Sequence, residues 1–283
     1  MRKQILTLVA ASVAFGAAWL GRDLAPRPGE TVPHVPLIHR VPALASVAPL
    51  EVRKLATKSE QAADSSGVLL TRRYGPTATG VRDYYLYLPD RIERGGRWPV
   101  ILYLHGRSLR GNDLTMLTRY GLPRYLAEGR DLPFIVVAPQ LPDGQSWTDT
   151  ERLAALVDDI LARYPADRDR VYLTGYSMGG GGVWRMAMSH ADLFAAAAPL
   201  AALTPAPSEA WSDALEDLPV RIYHGTADEA APFAGAAAMA ASLRRDGVQV
   251  ELETYEGASH GDLTRVYGER GLYDWFLAHR RSR

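Results

Sequence analysis

A mostly parallel β-sheet with helices on both faces is what this chain predicts, and three observations predict it. Short apolar runs recur at Val100-Ile101-Leu102-Tyr103-Leu104, Phe134-Ile135-Val136-Val137-Ala138 and Val171-Tyr172-Leu173-Thr174, with weaker or shorter ones at 195–200, 220–223 and 248–255. Unbroken runs of this kind are strands covered on both faces. Stretches in helical spacing lie between and after them, at 115–128, 150–164, 178–190, 233–246 and 262–281. Strands alternating with helices make a parallel sheet. The departure is at the front, where 68–74 and 82–88 read as two strands joined through Gly75-Pro76 and Gly80, an antiparallel hairpin. No internal repeat is present.

The 283 residues hold one large domain or two small ones, and 47% hydrophobic residues suffice for a sizeable core. Formal net charge is zero and arginine is spread along the chain, so there is no electrostatic footprint for nucleic acid. The absence of cysteine excludes a thiol nucleophile, disulfides, thiolate metal sites and a lipid-modified N-terminal cysteine.

Arg2 and Lys3 precede an apolar run from 5 to 21, and a positive region before such a run is an export signal. Weak small-residue cleavage patterns at Ala14-Phe15-Gly16 and Gly16-Ala17-Ala18 favour a cleaved signal, whereas Trp19 suits an interfacial anchor. Both readings of residues 1–21 place the remainder outside the cytoplasm, periplasmic or extracellular. Residues 22–66 read as a flexible linker, because Pro26, Pro28, Pro33, Pro36, Pro42 and Pro49 recur without an apolar period. His34 and His39 fall there as solvated side chains. The catalytic domain is expected over 67–283.

Within that domain, Gly175-Tyr176-Ser177-Met178-Gly179 follows the strand at 171–174 and precedes a helical stretch. A strand turning sharply into a helix at a serine is a nucleophile elbow, with glycines flanking the turn so that two backbones can pass closely. The helix N-terminus offers N–H groups and a positive dipole end to a developing oxyanion. The bland alternative is a glycine-rich turn with an exposed serine.

Ligands in such sheets bind outside the carboxyl ends of the strands. Two further reactive residues fall there: Asp228 in Tyr223-His224-Gly225-Thr226-Ala227-Asp228, and His260 in Gly257-Ala258-Ser259-His260-Gly261. The order Ser, Asp, His is that of the α/β-hydrolase triad. The chemistry needs all three: an imidazole to deprotonate the hydroxyl, and a carboxylate to hold its tautomer. Glu229 competes with Asp228 but has the poorer phase after His224-Gly225, while Asp262 reads as a helix cap. His190, His224 and His279 read as structural. The oxyanion hole takes one N–H from Met178, after the nucleophile, and one from the loop at Leu104-His105-Gly106-Arg107. Arg107, with Gly106 beside it, is the expected second donor, and His105 holds that loop.

These segments carry a resemblance over roughly three quarters of the chain. Leu104-His105-Gly106, Arg110-Gly111-Asn112-Asp113, Tyr120-Gly121-Leu122-Pro123, the run from Phe134 to Gln140, the run from Asp169 to Gly180, His224 to Asp228, and His260-Gly261 resemble an α/β-hydrolase-fold serine esterase. The similarity is to the exported predicted-peptidase, phospholipase/carboxylesterase, poly(3-hydroxybutyrate) depolymerase and feruloyl-esterase group. Arg107 and Ser108 depart from it, standing where such relatives often carry small residues. The resemblance implies that lids insert between the strands at 195–200 and 220–223, and residues 202–218 are too short for a lid domain. An open site suits water-soluble esters or groups protruding from polymers. Trp147 and Trp184 are candidates for lining or backing the pocket, with a place in the core the equal alternative.

The expected protein is a carboxylesterase with Ser177 as nucleophile, His260 as base, Asp228 orienting it, and Met178 and Arg107 amides at the oxyanion. No metal or organic cofactor is implied. The alternatives are a serine peptidase or acyltransferase on the same triad and, from another class, a non-catalytic binding module, for which the triad would serve no purpose.

Overall fold

The computed structural model describes residues 67–73, 83–92 and 95–281. The apolar run at 1–21, the proline-rich stretch at 22–66 and the hairpin turn lie outside the described residues.

Eight strands form one sheet in the order β1-β2-β4-β3-β5-β6-β7-β8. β1 (Val68–Arg73) pairs antiparallel with β2 (Asp83–Leu88), which pairs antiparallel with β4 (Ile135–Pro139). From β4 onward, through β3 (Trp98–Leu104), β5 (Ala166–Tyr176), β6 (Ala196–Leu200), β7 (Val220–Gly225) and β8 (Val250–Tyr255), every pairing is parallel.

The unbroken apolar runs have the expected cause. Val100, Leu102 and Leu104 face one core cluster and Ile101 and Tyr103 the other, all fully buried. Side chains alternate across a strand, so a sheet covered on both faces needs apolar residues at every position. Helices α2 (Thr150–Arg163), α3 (Met178–His190) and α5 (Phe233–Arg245) supply Leu156, Ile160, Val183, Met186, Met239 and Leu243 to the first cluster. Helices α1 (Leu122–Ala127) and α6 (Arg270–Leu277) supply Leu122, Leu126, Leu272 and Phe276 to the second.

Two expected helices are broken. The stretch at 115–128 is a 3-10 segment (Leu114–Arg119) followed by α1, because Tyr120 is extended and Gly121 has φ +76°. A Cβ at Gly121 would collide with the Tyr103 hydroxyl, so the chain turns where only glycine fits. The stretch at 262–281 is likewise a 3-10 segment (Gly261–Gly268) and then α6, parted by Glu269 in extended conformation. Between β6 and β7 the chain forms a short helix, α4 (Glu209–Ala214). Trp211 packs edge-on against Trp184 of α3, ring centroids 5.6 Å apart. That segment is docked on the core, and among the described residues no lid domain stands over the strand ends.

Candidate active site

Ser177 follows directly on β5 and caps α3, with φ 58° and ψ −115°. A non-glycine residue held at positive φ is costly and persists only where its surroundings impose it. Here Ser177 N–H donates to the Leu200 carbonyl at 2.9 Å and the Ser177 carbonyl accepts from Gly181 N–H at 3.0 Å. The helix start then packs on the end of β3: a Cβ at Gly179 would overlap the Leu104 carbonyl oxygen and lie 2.9 Å from that of His105. Glycine at 179 therefore brings the elbow and the loop after β3 into backbone contact.

The other two reactive residues arrive on stitched loops. Thr226 N–H donates to the Tyr255 carbonyl at 3.0 Å and Ala227 N–H to the Ala258 carbonyl at 3.1 Å. These bonds tie the loop after β7 to the loop after β8. Asp228 Oδ1 accepts from the N–H groups of Ala230 (2.9 Å) and Ala231 (2.8 Å), leaving Oδ2 for His260 Nδ1 at 2.8 Å. His260 Nε2 lies 2.8 Å from Ser177 Oγ. Since Nδ1 donates to a carboxylate, Nε2 is bare and accepts the serine proton. The Asp228 side chain is fully buried and that of His260 is 11% exposed, so the chain runs from a dry carboxylate to a serine open to solvent. Glu229, the competing carboxylate, is exposed. Asp262 accepts from Ser259 N–H at 2.8 Å and from its hydroxyl at 2.6 Å, closing the turn that carries His260.

The loop after β3 is built around His105. Leu141 N–H donates to His105 Nε2 at 3.0 Å, so the ring proton is on Nδ1, which donates to the Gly106 carbonyl at 2.7 Å. That carbonyl shares a peptide plane with Arg107 N–H. A trans peptide points its C=O and N–H in opposite directions. Fixing the oxygen against His105 therefore fixes which way the Arg107 donor points. Met178 N–H is among the first donors of α3, which have no intrahelical partner. Trp147 Nε1 donates to the His105 carbonyl at 2.9 Å, and Gln140 Nε2 donates to the carbonyls of Leu109 (2.9 Å) and Asp113 (2.8 Å).

Burial lowers the His105 pKa from 6.5 to about 4. Above pH 6.5 folded and unfolded chains both carry it neutral, and stability is at its full value. As pH falls from 6.5 towards 4 the unfolded chain takes up the proton and the folded one does not. Stability thus declines by about 3 kcal/mol across that window. Urea unfolding of the protein and of His105→Gln between pH 7 and 4 checks this: the midpoint of the variant should depend less steeply on pH.

Trp147 and Trp184 do not line a cavity; they are 1% and 2% exposed and belong to the core. His224 is buried at the strand end, Nε2 on the Ala231 carbonyl at 2.7 Å. His279 packs against Trp275 with Nδ1 on its carbonyl, and His190 ends α3 beside Glu151. Tyr176, Tyr120 and Gln140 stand in the segments that carry the family resemblance, but sequence reasoning assigned them no role of their own. Gln140 carried a signal, a polar residue closing an apolar strand; the two tyrosines carried none beyond their bulk. No cluster of metal-ligating side chains occurs among the described residues.

A mostly parallel eight-stranded sheet with an antiparallel entry, carrying a Ser–His–Asp hydrogen-bond chain at its carboxyl end, makes this an α/β-hydrolase fold. Residues 139–268, from the end of β4 to the end of the 3-10 segment after His260, match the dienelactone hydrolase family. The bifunctional acetylxylan esterase/xylanase XynS20E of Neocallimastix patriciarum is 31% identical over 154 residues, which are 52% of this chain and 22% of that protein. The chain spans about a quarter of the length of the curated relatives it matches. Among solved structures, a thermostable esterase superposes with a TM-score of 0.63 at 23% identity, covering 76% of this chain and 64% of that one. The Staphylococcus aureus fluorophosphonate-binding serine hydrolase FphF superposes with 0.60 at 18% identity, covering 75% and 99%.

Proposed function

We propose that the protein is a serine hydrolase that cleaves carboxylic esters through an acyl-enzyme on Ser177. The observation that carries this reading is the unbroken hydrogen-bond chain from Asp228 through His260 to Ser177, ending at a strained elbow on a helix N-terminus. Ser177 Oγ attacks the ester carbonyl as its proton passes to His260 Nε2. Asp228 holds the imidazole in the required tautomer and stabilises the imidazolium. The N–H groups of Met178 and Arg107 receive the oxyanion. Collapse expels the alcohol, which takes the proton from Nε2. Water attacks the acyl-enzyme by the same steps and restores the serine. None of these steps requires a metal or organic cofactor.

The partly exposed Ser177, with α4 docked against α3, suits small soluble esters or acyl groups protruding from a polymer. The similarity to an acetylxylan esterase supports the same substrates. We place the enzyme outside the cytoplasm, on the strength of the basic and apolar pattern at 1–21. Among the described residues no helix is long and apolar enough to cross a membrane.

Hydrolysis of a p-nitrophenyl ester series of increasing acyl length, by the protein and by Ser177→Ala, tests the reading. Turnover of the short chains should fall by at least a thousandfold in the variant. Equal rates in the two proteins, or none in either, would remove the esterase reading.

A further inference from the structure

Tyr176 precedes the nucleophile, and its hydroxyl donates to the main-chain carbonyl of His260 at 3.0 Å, across 84 residues of sequence. Its ring centroid lies 5.1 Å from the His260 imidazole. On its other side Tyr176 meets Tyr120 edge-on at 5.6 Å, and the Tyr120 hydroxyl is 2.7 Å from Ser108 Oγ. Gly106 sits against both rings: a Cβ there would be 2.8 Å from the Tyr120 hydroxyl and 3.2 Å from Tyr176 Cδ1. One pair of rings thus touches the loop that carries the base and the loop that carries the second oxyanion donor.

Each loop has its own bonds, but these fix different things. Asp228 orients the His260 ring about Nδ1 and leaves the height of its backbone above β5 unset. His105 orients the Gly106–Arg107 peptide, and the Gly179 contact seats Leu104 and His105 on the elbow, while Gly106 itself lies against Tyr120 and Tyr176. The Tyr176 hydroxyl ties the His260 backbone to the residue adjoining Ser177. The Tyr120–Tyr176 contact sets how closely residues 106–108 approach that same residue. Tyr176 is buried and Tyr120 half-buried; burial raises the pKa of Tyr176 far above its usual value and pushes Tyr120 up to about 12, so both hydroxyls stay protonated.

We propose that Tyr176, braced by Tyr120, is a positioning residue that holds the His260 loop and the Gly106–Arg107 loop in mutual register. The inference rests on the esterase reading above. A shared brace acts after substrate is bound, because proton transfer and oxyanion capture must coincide in one transition state. Small misplacements of such groups are expensive in rate.

The test uses Tyr176→Phe, Tyr120→Phe and the double variant, which keep both rings and remove the hydroxyls. Each is measured by steady-state ester hydrolysis, by thermal unfolding, and by labelling of Ser177 with a fluorophosphonate. Tyr176→Phe should lower kcat about tenfold with KM unchanged. Tyr120→Phe should lower it about threefold through loss of the Ser108 bond, and the double variant should fall short of the product of the two. Unchanged kcat in Tyr176→Phe, or a fall in kcat matched by an equal rise in KM, would overturn the proposal. Strict multiplication in the double variant would also overturn it. Failure of the wild-type protein to hydrolyse esters or to label at Ser177 would count against the esterase reading itself, so the two failures are distinguishable.

Discussion

Asp228→Asn should reduce kcat for ester hydrolysis by about ten-thousandfold while leaving the fold intact. Asp228 Oδ1 accepts two backbone N–H groups, from Ala230 and Ala231. An amide introduced at position 228 must keep its oxygen there, because turning its NH2 towards two donors would leave all of them unsatisfied in a dry site. Its NH2 then takes the place of Oδ2 and points at His260 Nδ1. That nitrogen becomes the acceptor, the ring proton moves to Nε2, and Nε2 faces Ser177 with a proton already on it. The base is lost while every neighbour stays in position. Stopped assays at high enzyme concentration would measure the residual rate, and a thermal melt within a few degrees of wild type would show the fold retained. A loss of less than tenfold would mean that Asp228 does not orient the base.

The three residues that the fold brings into one hydrogen-bond chain were legible as a group because each sits where a strand run ends and a glycine follows or precedes it. Ser177 lies between Gly175 and Gly179, Asp228 three residues after Gly225, and His260 just before Gly261. A parallel sheet delivers its strand ends to one edge, so residues far apart in sequence could be assigned to one site without a known contact. Strand positions were legible for the same reason as the core: sides facing two helix layers leave no room for polar residues.

What was not legible depended on contacts between elements. The break at Tyr120-Gly121 follows from the Tyr103 hydroxyl occupying the space a Cβ would need, and periodicity contains no term for that. Trp147 and Trp184 have the composition of pocket residues and the burial of core residues, and only packing separates the two. Tyr176 reads as one more aromatic residue in a strand. Its hydroxyl matters because β5 ends beneath the His260 loop, a relation that arises only when β8 has been laid three positions along the sheet, beyond β6 and β7. Asp262, expected as a helix cap, lies instead inside the 3-10 segment whose N-cap is His260, and its carboxylate closes the turn by accepting from Ser259 N–H.

The approach of α3 to β3 makes the second large prediction. Gly179→Ala places a methyl inside the Leu104 carbonyl group, 2.5 Å from its carbon. Neither partner is a flexible side-chain end: one is a helix start pinned by the elbow, the other a central strand bonded on both edges. Overpacking of this kind costs about 3 kcal/mol or more, which lowers Tm by roughly 10 °C in a domain of this size. Because Leu104 leads directly into His105 and Gly106, the displacement moves the loop that presents the Arg107 donor. The folded fraction should therefore lose about tenfold or more in kcat as well. Two positions on, Gly181→Ala provides the control. Its methyl would meet only the Arg185 guanidinium at 3.5 Å, and alanine is the better helix former, so that variant should gain about 0.5 kcal/mol with activity unchanged. A Gly179→Ala protein that melts early but turns over normally would detach the loop after β3 from oxyanion binding. One that melts at the wild-type temperature would contradict the close backbone approach on which the elbow geometry depends.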